Sequence, residues 1–221
     1  MDRYLNFWNL MAYDFCKSSY IHSQEWLWRH IAGSWDTVAN HHANLHGGPL
    51  NASAAVEWYI HAGVPRDKVV LGMPLYGRSF SKTQGPGSPF NGIGQGTWES
   101  GVYDYRVLPL PGSTVHFDNH TSGSWTYDPS KQEMISFDSE HAARVKGEYI
   151  RKERLAGSMF WELSGDKGSS REGIEGGPGK EAQPGQSLVT IVKDTMGGLE
   201  RSTNWLLYNE SKFDNMRKGM S

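Results

Sequence analysis

Three apolar runs, each closing on an aromatic and a charged residue, constrain this chain more than any other feature. The first, Asn6-Phe7-Trp8-Asn9-Leu10-Met11-Ala12-Tyr13-Asp14-Phe15, stops at Tyr13 and Asp14. The second, Lys68 to Arg78, ends in Tyr76 and Arg78, and the third, Leu155 to Leu163, carries Trp161 and Glu162 at its end. Continuous runs of this length fit strands buried on both faces, which belong to α/β proteins with helices covering a parallel sheet. In a β/α barrel, polar residues at the carboxyl ends of strands face the substrate. Tyr13 and Asp14 sit at such an end, where the plainer reading is a strand end whose Asp starts a turn.

Helical spacing links the runs. Asn51 or Ser53 can cap a helix to about Ala62, with Ala55, Val56, Tyr59 and Ile60 on one face, and Gly63 and Pro65 stop it. Strand, helix, strand makes a βαβ unit, so the first two strands should be parallel. From Ser79 to Asp138 the grammar changes to short strand-like pieces between Gly- and Pro-rich turns, which reads as a mostly antiparallel insert. A helix over about 139–152 follows, with Ala142, Val145, Tyr149 and Ile150 as its apolar face. A last helix spans Leu188 to Met196, closed by Gly197-Gly198. Lys167 to Gln186 reads as a flexible loop, and Trp205 and Tyr208 in the tail should tuck back on the body.

A net charge of −2 gives no electrostatic case for nucleic acid or an anionic membrane, and no apolar segment is long enough to span a bilayer. One cysteine, Cys16, excludes an internal disulfide framework. His41, His42 and His46 share a polar loop, but no carboxylate or Cys arrangement supports a metal site there, and solvated loop histidines are the expectation. Nine Trp and ten Tyr are a surplus of the kind that lines carbohydrate grooves, because flat rings stack on sugar C–H faces. The plainer alternative is a Trp-rich core.

Met11-Ala12-Tyr13-Asp14, Met73-Pro74-Leu75-Tyr76-Gly77-Arg78 and Gly157-Ser158-Met159-Phe160-Trp161-Glu162 together resemble the sixth, seventh and eighth strands of glycoside hydrolase family 18, in its fungal-type chitinases. Gly101 to Tyr105 and Met134 to Asp138 resemble the family's α+β insertion. The resemblance implies the C-terminal portion of a (β/α)8 TIM barrel. Residues 1–78 would hold strands six and seven, 79–138 the α+β insertion domain, 139–198 the return to the barrel with strand eight, and 199–221 a tail.

The family implies cleavage of β-1,4 bonds between N-acetylglucosamine units with help from the substrate's own acetamido group, outside the usual two-carboxylate scheme. By matching motif, Tyr13 would bond the acetamido carbonyl and Asp14 the sugar. Trp161 would floor the subsite of the reacting sugar, and Trp35 would stack on the leaving-group side. Arg78 would bond sugar hydroxyls and Glu99 would reach in from the insert. The alternatives are that Trp161 is barrel core and that Arg78 pairs with a carboxylate. The resemblance implies no cofactor, no metal, chitin or chitooligosaccharides as partner, and an extracellular parent protein, although no signal-peptide pattern opens the chain.

The family's acid motif, Asp-x-x-Asp-x-Asp-x-Glu, does not occur in this sequence. The single Asp-x-Glu, Asp138-Ser139-Glu140, lies at a helix start, where those residue types serve as cap and dipole partner. Little or no hydrolysis by this chain alone is therefore expected. Cys16 to Ile31 adds sixteen residues between Tyr13-Asp14-Phe15 and Ala32-Gly33-Ser34-Trp35-Asp36, which the family joins directly. A retained short intron would explain it. Three readings stay open: part of a chitinase, a chitin-binding lectin without the acid, or a half that completes its barrel with the missing N-terminal part.

Overall fold

A computed structural model describes residues 2–16, 37–168, 183–202 and 210–214. Trp35, most of the Cys16–Ile31 stretch, Trp205 and Tyr208 lie outside them. The described chain has two sheets. Strand β1 (Trp8–Leu10), β2 (Val69–Pro74) and β8 (Gly157–Trp161) form a parallel sheet in the order β1-β2-β8. Its register pairs Leu10 with Leu71 and Pro74 with Trp161, so all three carboxyl ends lie at one edge.

The second sheet is antiparallel, and along it the strands lie in the order Val102–Asp104, Tyr76–Phe80, Glu133–Ser136, Gly123–Asp128, Thr114–Asp118. Its strands are β3 (Tyr76–Phe80), β4 (Val102–Asp104), β5 (Thr114–Asp118), β6 (Gly123–Asp128) and β7 (Glu133–Ser136).

The expected single strand over Lys68–Arg78 is thus two strands in two sheets. Pro74 has no N–H to donate and ends β2. Leu75 then joins the sheets: its N–H bonds the Trp161 carbonyl at 2.8 Å and its own carbonyl accepts from Tyr105 N at 2.9 Å. The chain crosses from the parallel to the antiparallel sheet at this residue, and that crossing places the ends of β2 and β8 beside the start of β3.

The strand expected over Asn6–Phe15 is also corrected. Only Trp8–Leu10 pairs, and Phe7 and Met11 are 56% and 73% exposed. Strand β8, expected to be buried, is half-buried along its length with Trp161 exposed. The reason is position. Among the described residues β1 and β8 each have one neighbour, while β2 lies between them and is buried at five of six positions.

Among the described residues three α-helices pack against the parallel sheet. Helix α1 (Ala52–His61) starts where the Asn51 side chain accepts from Ala54 N, and Gly63 at φ 95° lets the chain leave it. Ser139 caps α2 (Glu140–Glu153) and Ser187 caps α3 (Leu188–Met196), which ends at Gly197 in the left-handed region. Ala52, Val56, Ile150, Leu188 and Val192 bury against Leu71 and Met73 in one core. None of these helices is long and apolar enough to cross a membrane.

Gly72 and Gly147 are among the glycines required by close approach. A Cβ at Gly72 would run into the Leu10 carbonyl oxygen and lie 3.1 Å from the Tyr13 ring. A Cβ at Gly147 would lie 2.9 Å from Thr195, where α2 meets α3.

The histidine loop is corrected as well. His41 and His42 are buried, 7% and 0% exposed, because residues 37–50 lie against the antiparallel sheet. His41 tilts on Trp125, His42 N–H donates to Ser136 Oγ, and His46 Nδ1 lies 3.0 Å from Ser53 Oγ. The three rings face different partners, and among the described residues no group of three His, Cys, Asp or Glu could hold a metal ion. Lys167, at the start of the expected flexible loop, is buried too, with its ammonium donating to the Pro184 carbonyl and lying over the Tyr105 ring.

Candidate active site

The shared edge of strand ends opens into a cleft of about 370 Å³. Asp14 sits at its centre. Its backbone is left-handed at φ 61°, a region an Asp tolerates better than most residues but that still carries strain. That turn after β1 aims the carboxylate at β3. Arg78 grips it with two parallel bonds, Nε to Oδ1 and Nη2 to Oδ2, each 2.9 Å. The Tyr76 hydroxyl donates to Oδ1 at 2.8 Å. Bidentate, charge-assisted bonds of this kind are the strong and directional ones.

The cluster's electrostatics follow from its burial and its charges. Burial would push the Asp14 carboxyl up, but His42 and the Arg78 guanidinium outweigh it and hold the group well below the usual carboxylate range. Burial also works against the charge on Arg78, yet Asp14 raises its pKa further. Tyr76 is pushed far up, by burial first and then by Asp14, so its hydroxyl stays a donor. Tyr13 is raised for the same two reasons and packs edge-on against Tyr76, with ring centroids 6.1 Å apart.

Around this centre the cleft is aromatic and acidic. Trp161 ends β8 with 59% of its surface exposed and is joined to Glu162 by a cis peptide bond. Trp98 also lines the cleft, 68% exposed, its Nε1 donating to Asp104 Oδ2 at 3.1 Å. Arg106 holds the same carboxylate oxygen at 3.0 Å. Glu99 lines the cleft as well.

Of the residues singled out from the sequence, Tyr13, Asp14, Arg78, Glu99 and Trp161 meet in this one cleft. Trp35 lies outside the described residues. Tyr76, Trp98 and His42 were missed as site residues. Tyr76 had a signal, because strand alternation puts positions 76 and 78 on one face. His42 had none, since its approach to Asp14 depends on tertiary packing alone. Asp138 and Glu140 are engaged elsewhere. Asp138 accepts from Lys146 at 2.6 and 2.8 Å, and Glu140 accepts from Gln186 N.

The buried groups set an acid response. The His41 and His42 pKa values lie below the ordinary value because burial disfavours their charged forms. The unfolded chain therefore binds more protons than the folded one below about pH 6.5, and stability should fall as the pH drops from there. Asp14 acts lower down. Its contribution is complete above about pH 3.9 and is lost as the pH falls below that. Urea unfolding across a pH series should show both declines, and a flat profile between neutrality and mild acid would contradict the buried neutral histidines.

Known proteins share this fold. Chitinase 1 of Aphanocladium album is 39% identical over 228 residues, covering 100% of this chain and 47% of that protein. The chain spans about half the length of three curated relatives it matches, 46–47% of each. Among solved structures, the chitinase ChiA74 from Bacillus thuringiensis superposes with a TM-score of 0.71 at 27% identity, over 91% of this chain and 33% of that one. A plant class V chitinase mutant from Cycas revoluta, in complex with (GlcNAc)3, gives a TM-score of 0.65 at 26% identity over 87% of this chain and 47% of that one. These likenesses make the α/β fold TIM-barrel-like. Residues 1–166 match the family described as Glycosyl hydrolases family 18, and the chain belongs to that family.

Proposed function

We propose that this chain is the sugar-holding portion of a chitin-degrading glycoside hydrolase: the C-terminal part of a (β/α)8 barrel carrying an inserted α+β domain. The observation that carries the reading is the convergence of Tyr13, Asp14, Arg78, Glu99 and Trp161, from separate strand ends and the antiparallel unit, on one open cleft. In this reading the exposed Trp161 ring is the floor for the reacting sugar. The Tyr13 hydroxyl donates to the acetamido carbonyl oxygen and orients it toward the anomeric carbon. Asp14, kept ionised by Arg78, accepts from the sugar.

A proton donor for the leaving oxygen is the part the sequence lacks, since it holds no Asp-x-x-Asp-x-Asp-x-Glu. General acid catalysis contributes roughly 10²–10⁴-fold, so the chain alone should bind chitooligosaccharides without measurable turnover. A barrel half with strands one to five would supply both the acid and the strand neighbours that β1 and β8 lack among the described residues. The exposed Phe7, Met11, Trp161 and Leu163 lie along those two strands and their ends. The missing acid also favours a second reading, a chitin-binding protein that never cleaves.

Thermal unfolding of the purified chain with and without chitotetraose tests the site. A ligand that binds only the folded state at about 100 times its Kd adds about 2.7 kcal/mol, so the midpoint should rise with the sugar. A cooperative transition that chitotetraose leaves in place would count against the cleft as a sugar site. Chitin turnover by the chain alone would overturn the missing-acid argument. Turnover that appears when the upstream barrel half is added favours the hydrolase, and binding unchanged by it favours the non-cleaving protein.

A further inference from the structure

His42 lies beside the Asp14 carboxylate and is not among the residues that line the cleft. It is fully buried, and among the described residues neither ring nitrogen has a hydrogen-bond partner. Nδ1 lies 3.7 Å from Asp14 Oδ1, beyond hydrogen-bond distance, and the ring tilts on Tyr76 with centroids 5.3 Å apart. Such a group costs stability in its present state. Its backbone is tied down on both sides, N–H donating to Ser136 Oγ and carbonyl accepting from Phe15 N, which keeps the residue next to Asp14 while its ring can turn.

The charges that face it come from every neighbouring element. Asp14 follows β1, Arg78 and Tyr76 lie on β3, and Asp138 follows β7 with Lys146 of α2 paired to it. His41 adjoins it in the chain. Of these, Asp14 and Asp138 favour an imidazolium, while burial and Arg78 oppose it, and opposition wins near neutrality.

Both lone pairs of Asp14 Oδ1 are taken, one by the Tyr76 hydroxyl and one by Arg78 Nε. A third donor must therefore displace one of them. Arg78 is charged and has a second bond to Oδ2, whereas Tyr76 is neutral and holds by one bond. Tyr76 is the weaker partner. We propose that His42 is a proton-sensitive positioning residue for Asp14. Neutral, with its proton on Nε2, it leaves Oδ1 to Tyr76 and Arg78; after taking a second proton from solvent at Nδ1, it donates Nδ1–H to Oδ1 and releases the Tyr76 hydroxyl toward the cleft. The consequence for sugar binding rests on the cleft being the chitooligosaccharide site; the swap of partners does not.

The test is made on the full chain, labelled at His, Asp and Tyr carbons, by NMR from about pH 7.5 to about 4.5. His42 should titrate with a midpoint below about 6.5, and the Asp14 carboxyl and Tyr76 ring signals should shift at that same midpoint. His42→Gln, which bonds but does not titrate in this range, should lose the shared step, and His42→Asn serves if the glutamine does not fold. Asp14 and Tyr76 signals that stay flat through the His42 midpoint would overturn the proposal. So would a shared step that persists in His42→Gln, which would belong to His41. Chitotetraose affinity should change at the same midpoint in the natural chain only. No binding at any pH, with the shared step intact, would uphold the swap and sink the sugar-site reading.

Discussion

Replacing Lys146 with methionine is expected to remove about 3–5 kcal/mol of stability, the usual result when one member of a buried ion pair is deleted. Lys146 and Asp138 are only 1% and 2% exposed, and the ammonium bonds both carboxylate oxygens. Methionine nearly matches the volume of the lysine stem, so the packing around α2 survives. What is lost is the counter-charge, and the Asp138 carboxylate is left in the core without it. A typical domain has a total stability of about 5–15 kcal/mol, so the loss should be visible as a much lower urea midpoint with an unchanged slope. Restoring charge balance with Asp138→Asn in the same chain should recover part of it, because the buried anion is gone. A single-variant loss under about 1 kcal/mol would mean that water reaches Asp138 in solution and the pair is not closed off.

This pair also shows where sequence reading stops. The period of α2 was legible, and so were its Ser139 cap and its neighbours' boundaries; α3 runs over the span its Gly-Gly stop implied. Helix caps and periods are local, so a single sequence carries them. The face that buries was legible only in part: Ala142 and Ile150 are buried as expected. Val145 and Tyr149 are only partly covered, while Lys146 and Gly147 are buried. A lysine is normally outside, and its burial depends on an aspartate eight positions earlier that folds back onto it.

The cleft divides the same way. Tyr13, Asp14, Arg78 and Trp161 could be named because strand ends in an α/β fold converge, and a family pattern marked which ends mattered. Tyr76 could have been read from its alternation with Arg78; what the unbroken apolar run from Lys68 to Arg78 hid is that the chain changes sheets at Leu75. His41 and His42 looked solvated because a Gly-rich polar stretch carries no period, and only the sheet packed against residues 37–50 buries them. Long-range packing, rather than weak chemistry, is what escaped.

Asp14→Ala and Arg78→Met should each abolish most chitooligosaccharide affinity, and the double variant should bind no more weakly than either one. The two side chains share one pair of bonds at 2.9 Å and are equally covered, 19% exposed apiece. If Arg78 acts by holding Asp14 in place and ionised, removing it costs what removing Asp14 costs, and the second deletion finds nothing left to remove. A hydrogen bond to a charged group is worth about 1.5–3 kcal/mol, so each single variant should lose on the order of ten- to hundredfold in affinity. If instead Arg78 bonds sugar hydroxyls on its own account, the losses add and the double variant falls by the product. The protein stability of the same four chains gives an independent check. Each single leaves a partly buried charge without its partner, so it should cost the lower end of about 3–5 kcal/mol, and the double should cost less than the sum. Additive binding losses with non-additive stability would show that the ion pair is structural and that Arg78 also touches the ligand. Non-additivity in both would make Arg78 a positioning residue, with Asp14 alone meeting the sugar.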